Sequence, residues 1–212
     1  MSSTHVSGGV STPPCEQTCI GVDVGLTRAF TAAPAGGAAE DAFTISGSAI
    51  REAVDDLTTA QRRLCDVQFT TERSACEAFA AGWLYVRSKI IETAVRTVRY
   101  AEQFPDPVLV VEHFSSDGPS LWEWRTRDDA HDAWILPTLL EALELHADQS
   151  GIRVETVNRH GTSQECHVCG SGGELSAHTL RCSAPSCPVE EVCRDRSAAL
   201  TIADRGQRQL TE

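Results

Sequence analysis

The chain has 212 residues, 41% of them hydrophobic, with 30 acidic against 18 basic side chains and a formal net charge of −12. This length and apolar content suit one compact domain with a small appendage and exclude a chain that is disordered throughout. No apolar run reaches the ~18 residues of a membrane span, and the opening MSSTHVSGGVSTPP has neither a basic nor an apolar leader segment, so a membrane or secreted protein is not expected and a cytoplasmic one is.

Residues 1–18, rich in Ser, Thr, Gly and Pro, read as a disordered lead-in. The apolar run Cys19 to Val24 is the first expected strand, with Ala42 to Ile45 continuing a hairpin or meander across a turn in the Ala/Gly/Pro stretch 32–39. From Ser74 to Phe104 apolar residues (Cys76, Phe79, Trp83, Ile90, Ala94, Val98, Ala101) recur at helical spacing, predicting a long helix that Gly82 weakens. Pro105 and Pro107 punctuate the chain, and Val108 to Val111 is a short β-branched strand of the kind buried on both faces.

After a loop with Gly118 and Pro119, Ala130 to Gln149 reads as a helix presenting Ile135, Leu139, Leu143 and His146, with Pro137 in its first turn or at a kink. Gly151 stops it, Ile152 to Val157 is a strand, Ser163 to Cys187 breaks the pattern with cysteines, and Asp195 to Gln209 is a final helix. Strands alternating with helices are the grammar of an α/β domain.

Charge alone argues against nucleic acid, since phosphate binding draws on basic surface. Yet 17 of the basic residues are Arg and only Lys89 is Lys, while the acids are dispersed along the chain. Such a surface suggests a salt-rich cytoplasm, where the Debye length falls to about 3 Å at 1 M; the alternative is an ordinary acidic cytosolic protein. The densest basic group, Arg87, Lys89, Arg96 and Arg99 on the long helix, is either a nucleic-acid contact or a solvated face.

The strongest local signal is Cys166-His-Val-Cys169, followed after twelve residues by Cys182 and Cys187. Two thiolate pairs around a turn can close a tetrahedron on one Zn²⁺, and a complete Cys₄ shell makes that zinc structural. A disulfide or unlinked buried thiols are the alternatives. Cys193 is read as a spectator, and Cys15, Cys19, Cys65 and Cys76 as core or incidental residues.

Three carboxylates stand at ends of expected elements: Asp23 in the first strand, Glu112 after VLVV, and Asp195 opening the last helix. Singly each reads as a solvated strand end or a helix cap. Together they could hold two Mg²⁺ or Mn²⁺ ions roughly 4 Å apart for phosphodiester cleavage.

GVDVGLTRAF (21–30), VLVVEHF (108–114), TSQECHVCG (162–170) and CPVEEVCRDRSAALTIA (187–203) together resemble the RuvC-type nuclease half of TnpB proteins, also called OrfB transposases, and salt-loving archaeal members in particular. The resemblance implies a ribonuclease H-like (RuvC) α/β fold with an inserted Cys₄ zinc ribbon. Residues 19–162 would form its first part, 163–190 the ribbon and 191–212 the completing helix. It implies Asp23, Glu112 and Asp195 as catalytic ligands of Mg²⁺ or Mn²⁺, and Cys166, Cys169, Cys182 and Cys187 as ligands of structural zinc. The implied activity is metal-dependent DNA cleavage, with DNA, and a guide RNA or a separately encoded N-terminal half, as partners. Two features depart from that family: only 22 residues precede Asp23, where members carry a long RNA-holding region, and Ser197 stands at the usual Asn of D-x-N-A-A. The competing reading is a catalytically silent zinc-ribbon module that binds nucleic acid or a partner chain.

Overall fold

The computed structural model describes residues 17–66, 72–113 and 131–211. The expected lead-in up to residue 16, Cys15, the loop of Gly118 and Pro119, and the side chains of Cys65 and Cys76 lie outside them.

The strands β1 (Thr18–Val24), β2 (Arg28–Pro34), β3 (Phe43–Ser46), β4 (Pro107–Glu112) and β5 (Arg153–Val157) form one sheet in the order β3-β2-β1-β4-β5. The first three are antiparallel neighbours, and β1, β4 and β5 run parallel. The helices are α1 (Ser48–Asp66), α2 (Glu72–Ala101), α3 (His131–Gln149) and α4 (Arg194–Thr211). Among the described residues no helix is long and apolar enough to cross a membrane.

Period-two alternation sorts the central strands onto two faces. Ile20, Val22, Val24, Leu109 and Val111 join Ile90, Ala94, Trp134, Leu139 and Leu143 of α2 and α3 in the larger core. The alternate residues Cys19, Val108 and Val110 pack with Ile202 of α4 on the opposite face. A strand covered on both sides needs no polar residue until it leaves the core, which is why CIGV and VLVV read as continuous apolar runs.

The helix α4 approaches the sheet closely because two glycines admit it. A Cβ on Gly21 would lie 2.0 Å from the Ala199 carbonyl oxygen and 2.3 Å from the Ala203 nitrogen, and one on Gly206 would lie 2.5 Å from a Val110 methyl. At the other end of the fold Gly151, at φ +70°, closes α3 in a left-handed turn, with Ile152 N–H donating to the Ala147 carbonyl and Gly151 N–H to that of Asp148.

The structure corrects the reading of residues 25–66. The stretch 32–39 is not the first turn: Ala32 to Pro34 belong to β2, and the β1–β2 connection is Gly25 to Thr27. The helix α1 was not anticipated; its buried Ile50, Ala53, Val54 and Leu57 are sparse among charged residues. Gly82 does not weaken α2 at random, since a Cβ there would meet Leu57 Cδ1 at 2.6 Å and so marks where α1 crosses α2. Pro137 lies inside α3 rather than in its first turn.

Between β5 and α4 the chain forms a small antiparallel sheet of β6 (Gly173–Leu175), β7 (Thr179–Cys182) and β8 (Glu191–Cys193), centred on the buried Leu180.

Candidate metal centres

The four predicted cysteines come together. Cys166 and Cys169 flank a tight turn with Gly170 at φ +68°, in which Gly170 N–H donates to the Cys166 carbonyl and Cys166 N–H to that of Ser171. Cys182 ends β7, and the Cys187 N–H is held by the Ala184 carbonyl. Their sulfurs all lie within 4.8 Å of one another, with Cys166 and Cys187 3.7 Å apart and Cys169 and Cys182 3.5 Å apart. A tetrahedron with Zn–S bonds of about 2.3 Å has edges of about 3.8 Å, so the thiols fit a zinc ion.

The thiols differ in how readily they ionise. Hydrogen bonds from Ser171 lower the Cys169 thiol to about 6. The Val189 N–H favours the Cys187 thiolate, but burial and the other thiols outweigh it and push Cys187 to about 12. A bound zinc would displace the remaining protons, since a sulfur that coordinates it is a thiolate. The described cysteines are free thiols rather than disulfides, Cys193 lies in β8 outside the group, and Cys19 is a core residue.

His167 is no ligand among the described contacts; its Nδ1 lies 3.1 Å from Ser197 Oγ, and burial lowers its pKa against the opposing pull of Asp204 and Glu40. Ser197 also accepts from the His167 N–H and donates to the Glu165 carbonyl, tying the first cysteine turn to α4. Arg205 extends that tie, donating to the carbonyls of Asn158 and His160 and to Glu165 Oε2 at 2.6, 2.9 and 2.8 Å.

The three predicted carboxylates share one cleft of about 430 Å³, lined also by Thr27, Arg28, Leu136, Arg159, Ser163 and Arg194. Parallel pairing of Val22 with Val111 sets Asp23 and Glu112 side by side at the strand ends. Both are in phase with the α4-facing residues Gly21 and Val110. From the contact of Gly21 with Ala199, two strand residues lead to Asp23 and one helical turn back leads to Asp195, displacements of about 6–7 Å each. The close packing of α4 therefore carries Asp195 to the other two acids.

The electrostatics are strained. Asp23 is pushed up to about 7, chiefly by burial and then by the charges of Asp195 and Glu112, against the opposing Arg194 and Arg28. Arg28 Nη1 donates to Asp195 Oδ2 at 2.6 Å and Arg194 Nε to Asp195 Oδ1 at 3.2 Å. The buried Thr162 hydroxyl donates to Glu112 Oε1. Among the described residues the carboxylates do not converge as tightly as the thiols, which are the one group of three or more such ligands within 4.8 Å. Arg28 and Thr162 were not anticipated as site residues, because each meets its acid across a long sequence separation.

In the basic group of α2, Arg87, Arg96 and Arg99 are exposed and Lys89 pairs with Glu92 at 3.4 Å.

Residues 138–202 match the family described as Cas12f1-like, TNB domain. No protein of curated function matches the sequence. The fold is similar to that in a structure described as the Cas12f1-sgRNA-target DNA complex, with a TM-score of 0.66 and 15% identity over 93% of this chain and 52% of the other. It is similar to a CRISPR-Cas12f ternary complex at 0.63 and 16%, over 88% and 38% of the two chains. A third similarity, to the mini-RNA-guided endonuclease CRISPR-Cas_phi3, has a TM-score of 0.57 and 12% identity over 90% and 45%. The chain thus spans about half, or less, of the length of these proteins, and at this identity the likeness establishes a shared mixed α/β fold.

Proposed function

We propose that the chain is a metal-dependent DNA endonuclease domain of the TnpB kind, with a ribonuclease H-like fold, a zinc ribbon at residues 163–190 and Asp23, Glu112 and Asp195 as its catalytic ligands. The observation that carries this reading is the cleft in which two strand-end acids and one helix-start acid meet three arginines. Oxygen donors suit Mg²⁺ or Mn²⁺; burial, and then the charges of Asp195 and Glu112, raise Asp23, and a bound cation relieves that repulsion.

Bound divalent cations would supply an activated water and charge stabilisation at the phosphodiester. The protein's own residues do the rest. Thr162 fixes the orientation of Glu112, α4 delivers Asp195, and Arg159 and Arg194 give the cleft positive charge where a phosphate would lie. The zinc ribbon holds the loop that carries Thr162 and the strand that leads into Asp195.

Guide RNA and target DNA, named for the Cas12f1 complex, would be partners of this chain. The dispersed acids and near absence of lysine support a salt-loving archaeal type.

The test is cleavage of single- and double-stranded DNA by the zinc-loaded protein with Mg²⁺ or Mn²⁺ at high salt. Cleavage that falls at least about a hundredfold in Asp23→Ala is expected. No cleavage under any of these conditions counts against the reading.

One observation favours the silent zinc-ribbon module: both Asp195 oxygens are already neutralised by arginines. That reading predicts nucleic-acid binding that survives Asp23→Ala and is lost in Cys166→Ser.

A further inference from the structure

Asp195 is buried, and each of its carboxylate oxygens is engaged by a guanidinium, Oδ2 by Arg28 and Oδ1 by Arg194. The two arginines are differently placed. Arg194 is the backbone neighbour of Asp195 and stays beside it. Arg28 opens β2, just beyond the Gly25–Thr27 turn, and its side chain is 29% exposed in a pair that is otherwise buried. It already lines the cleft.

We propose that Arg28 is an intramolecular counter-ion which clamps Asp195 while the cleft lacks metal, and which is exchanged for the divalent cation, its guanidinium then meeting the substrate phosphate. This rests on the reading of the cleft as a metal-dependent phosphodiester site. The Arg28 nitrogen, 2.6 Å from Oδ2, occupies one lone-pair direction of that oxygen, and its positive charge opposes a cation taking the other. Three carboxylates and three guanidiniums line the cleft and formally balance; a divalent cation added to that set is repelled by Arg28 and attracted by the acids. Arg194, although 39% exposed, is held beside Asp195 by the backbone, so Arg28 is the one that yields. Once released, it lies in the same cleft as Arg159 and Arg194, with a free fork of donors suited to a phosphate.

The exchange predicts effects of opposite sign on two ligands, which a merely structural arginine would not produce. Mn²⁺ binding to the zinc-loaded full chain is followed by the electron paramagnetic resonance of free Mn²⁺, in wild type, Arg28→Gln, Arg28→Lys and Asp23→Asn. Binding of a fluorescent single-stranded oligonucleotide is followed by anisotropy with Ca²⁺ in place of Mg²⁺. Arg28→Gln is expected to bind Mn²⁺ about tenfold more tightly, the equivalent of one charged hydrogen bond no longer broken. It is expected to bind the oligonucleotide several-fold more weakly, with a salt slope smaller by about 0.7. Arg28→Lys, which keeps the charge, restores the slope. Melting curves of each variant show that it is folded. Asp23-dependent Mn²⁺ uptake of equal or lower affinity in Arg28→Gln overturns the exchange alone, as does unchanged oligonucleotide binding. No Asp23-dependent uptake by any variant overturns the metal-centre reading and the exchange with it.

Discussion

Asp23 holds a proton more tightly in the fold than in the open chain, about 7 against 3.8, because burial and two neighbouring acids disfavour its charge. The folded state therefore binds more protons between those values, and stability falls as pH rises through that window. The contribution is fully present below about 3.8 and gone above about 7. Without added Mg²⁺, Asp23→Asn should abolish this part of the pH dependence and stabilise the protein at pH 8 by roughly 1–3 kcal/mol. Melting of both proteins from pH 5 to 8 checks it, and parallel curves would refute it. Thr162 makes a second prediction at this scale. Removing the hydroxyl that orients Glu112 in Thr162→Ala should cost about 10–100-fold in Mn²⁺ affinity or cleavage, while Thr162→Ser retains most of both. Titration of the two variants separates loss of orientation from loss of packing.

At the scale of elements, two glycines make opposite predictions. Gly21→Ala drives a methyl into the backbone of α4, 2.0 Å from a carbonyl oxygen, and should destabilise by at least about 3 kcal/mol and displace Asp195 from the cleft. Gly82→Ala meets only the end of the Leu57 side chain, and its gain in helix propensity of about 1 kcal/mol should offset most of the clash. Urea denaturation of both variants checks the contrast. The strands β1, β4 and β5 and the helices α2, α3 and α4 were legible because apolar residues fill their core positions at regular spacing. The helix α1 was not, since its few apolar residues stand among acids and arginines. The strand β2 reads RAFTAAP, and its alanines carry little strand preference until the sheet covers them. The cysteines and strand-end acids were legible as residue types at informative positions. Their partners were not: Arg28 and Asp195 are 167 residues apart, and Thr162 and Glu112 are 50 apart. Local pattern carries no information about such pairs.

At the scale of the whole molecule, the net charge of −12 repels itself in dilute buffer. The melting temperature should rise as KCl is raised from about 0.1 to 2 M; a fall over that range would refute the reading of the surface as adapted to salt. The grip of Arg205 on Asn158, His160 and Glu165 has a further consequence, for the order in which the molecule becomes competent. It fastens the loop bearing Thr162 to α4, the same helix that brings Asp195. Glu112 and Asp195 are thus readied by one docking event, joining segments remote in sequence, and such contacts form late because long loops must close first. A chain whose sheet has formed but whose last helix has not docked would hold Asp23 and Glu112 together but Asp195 apart from them.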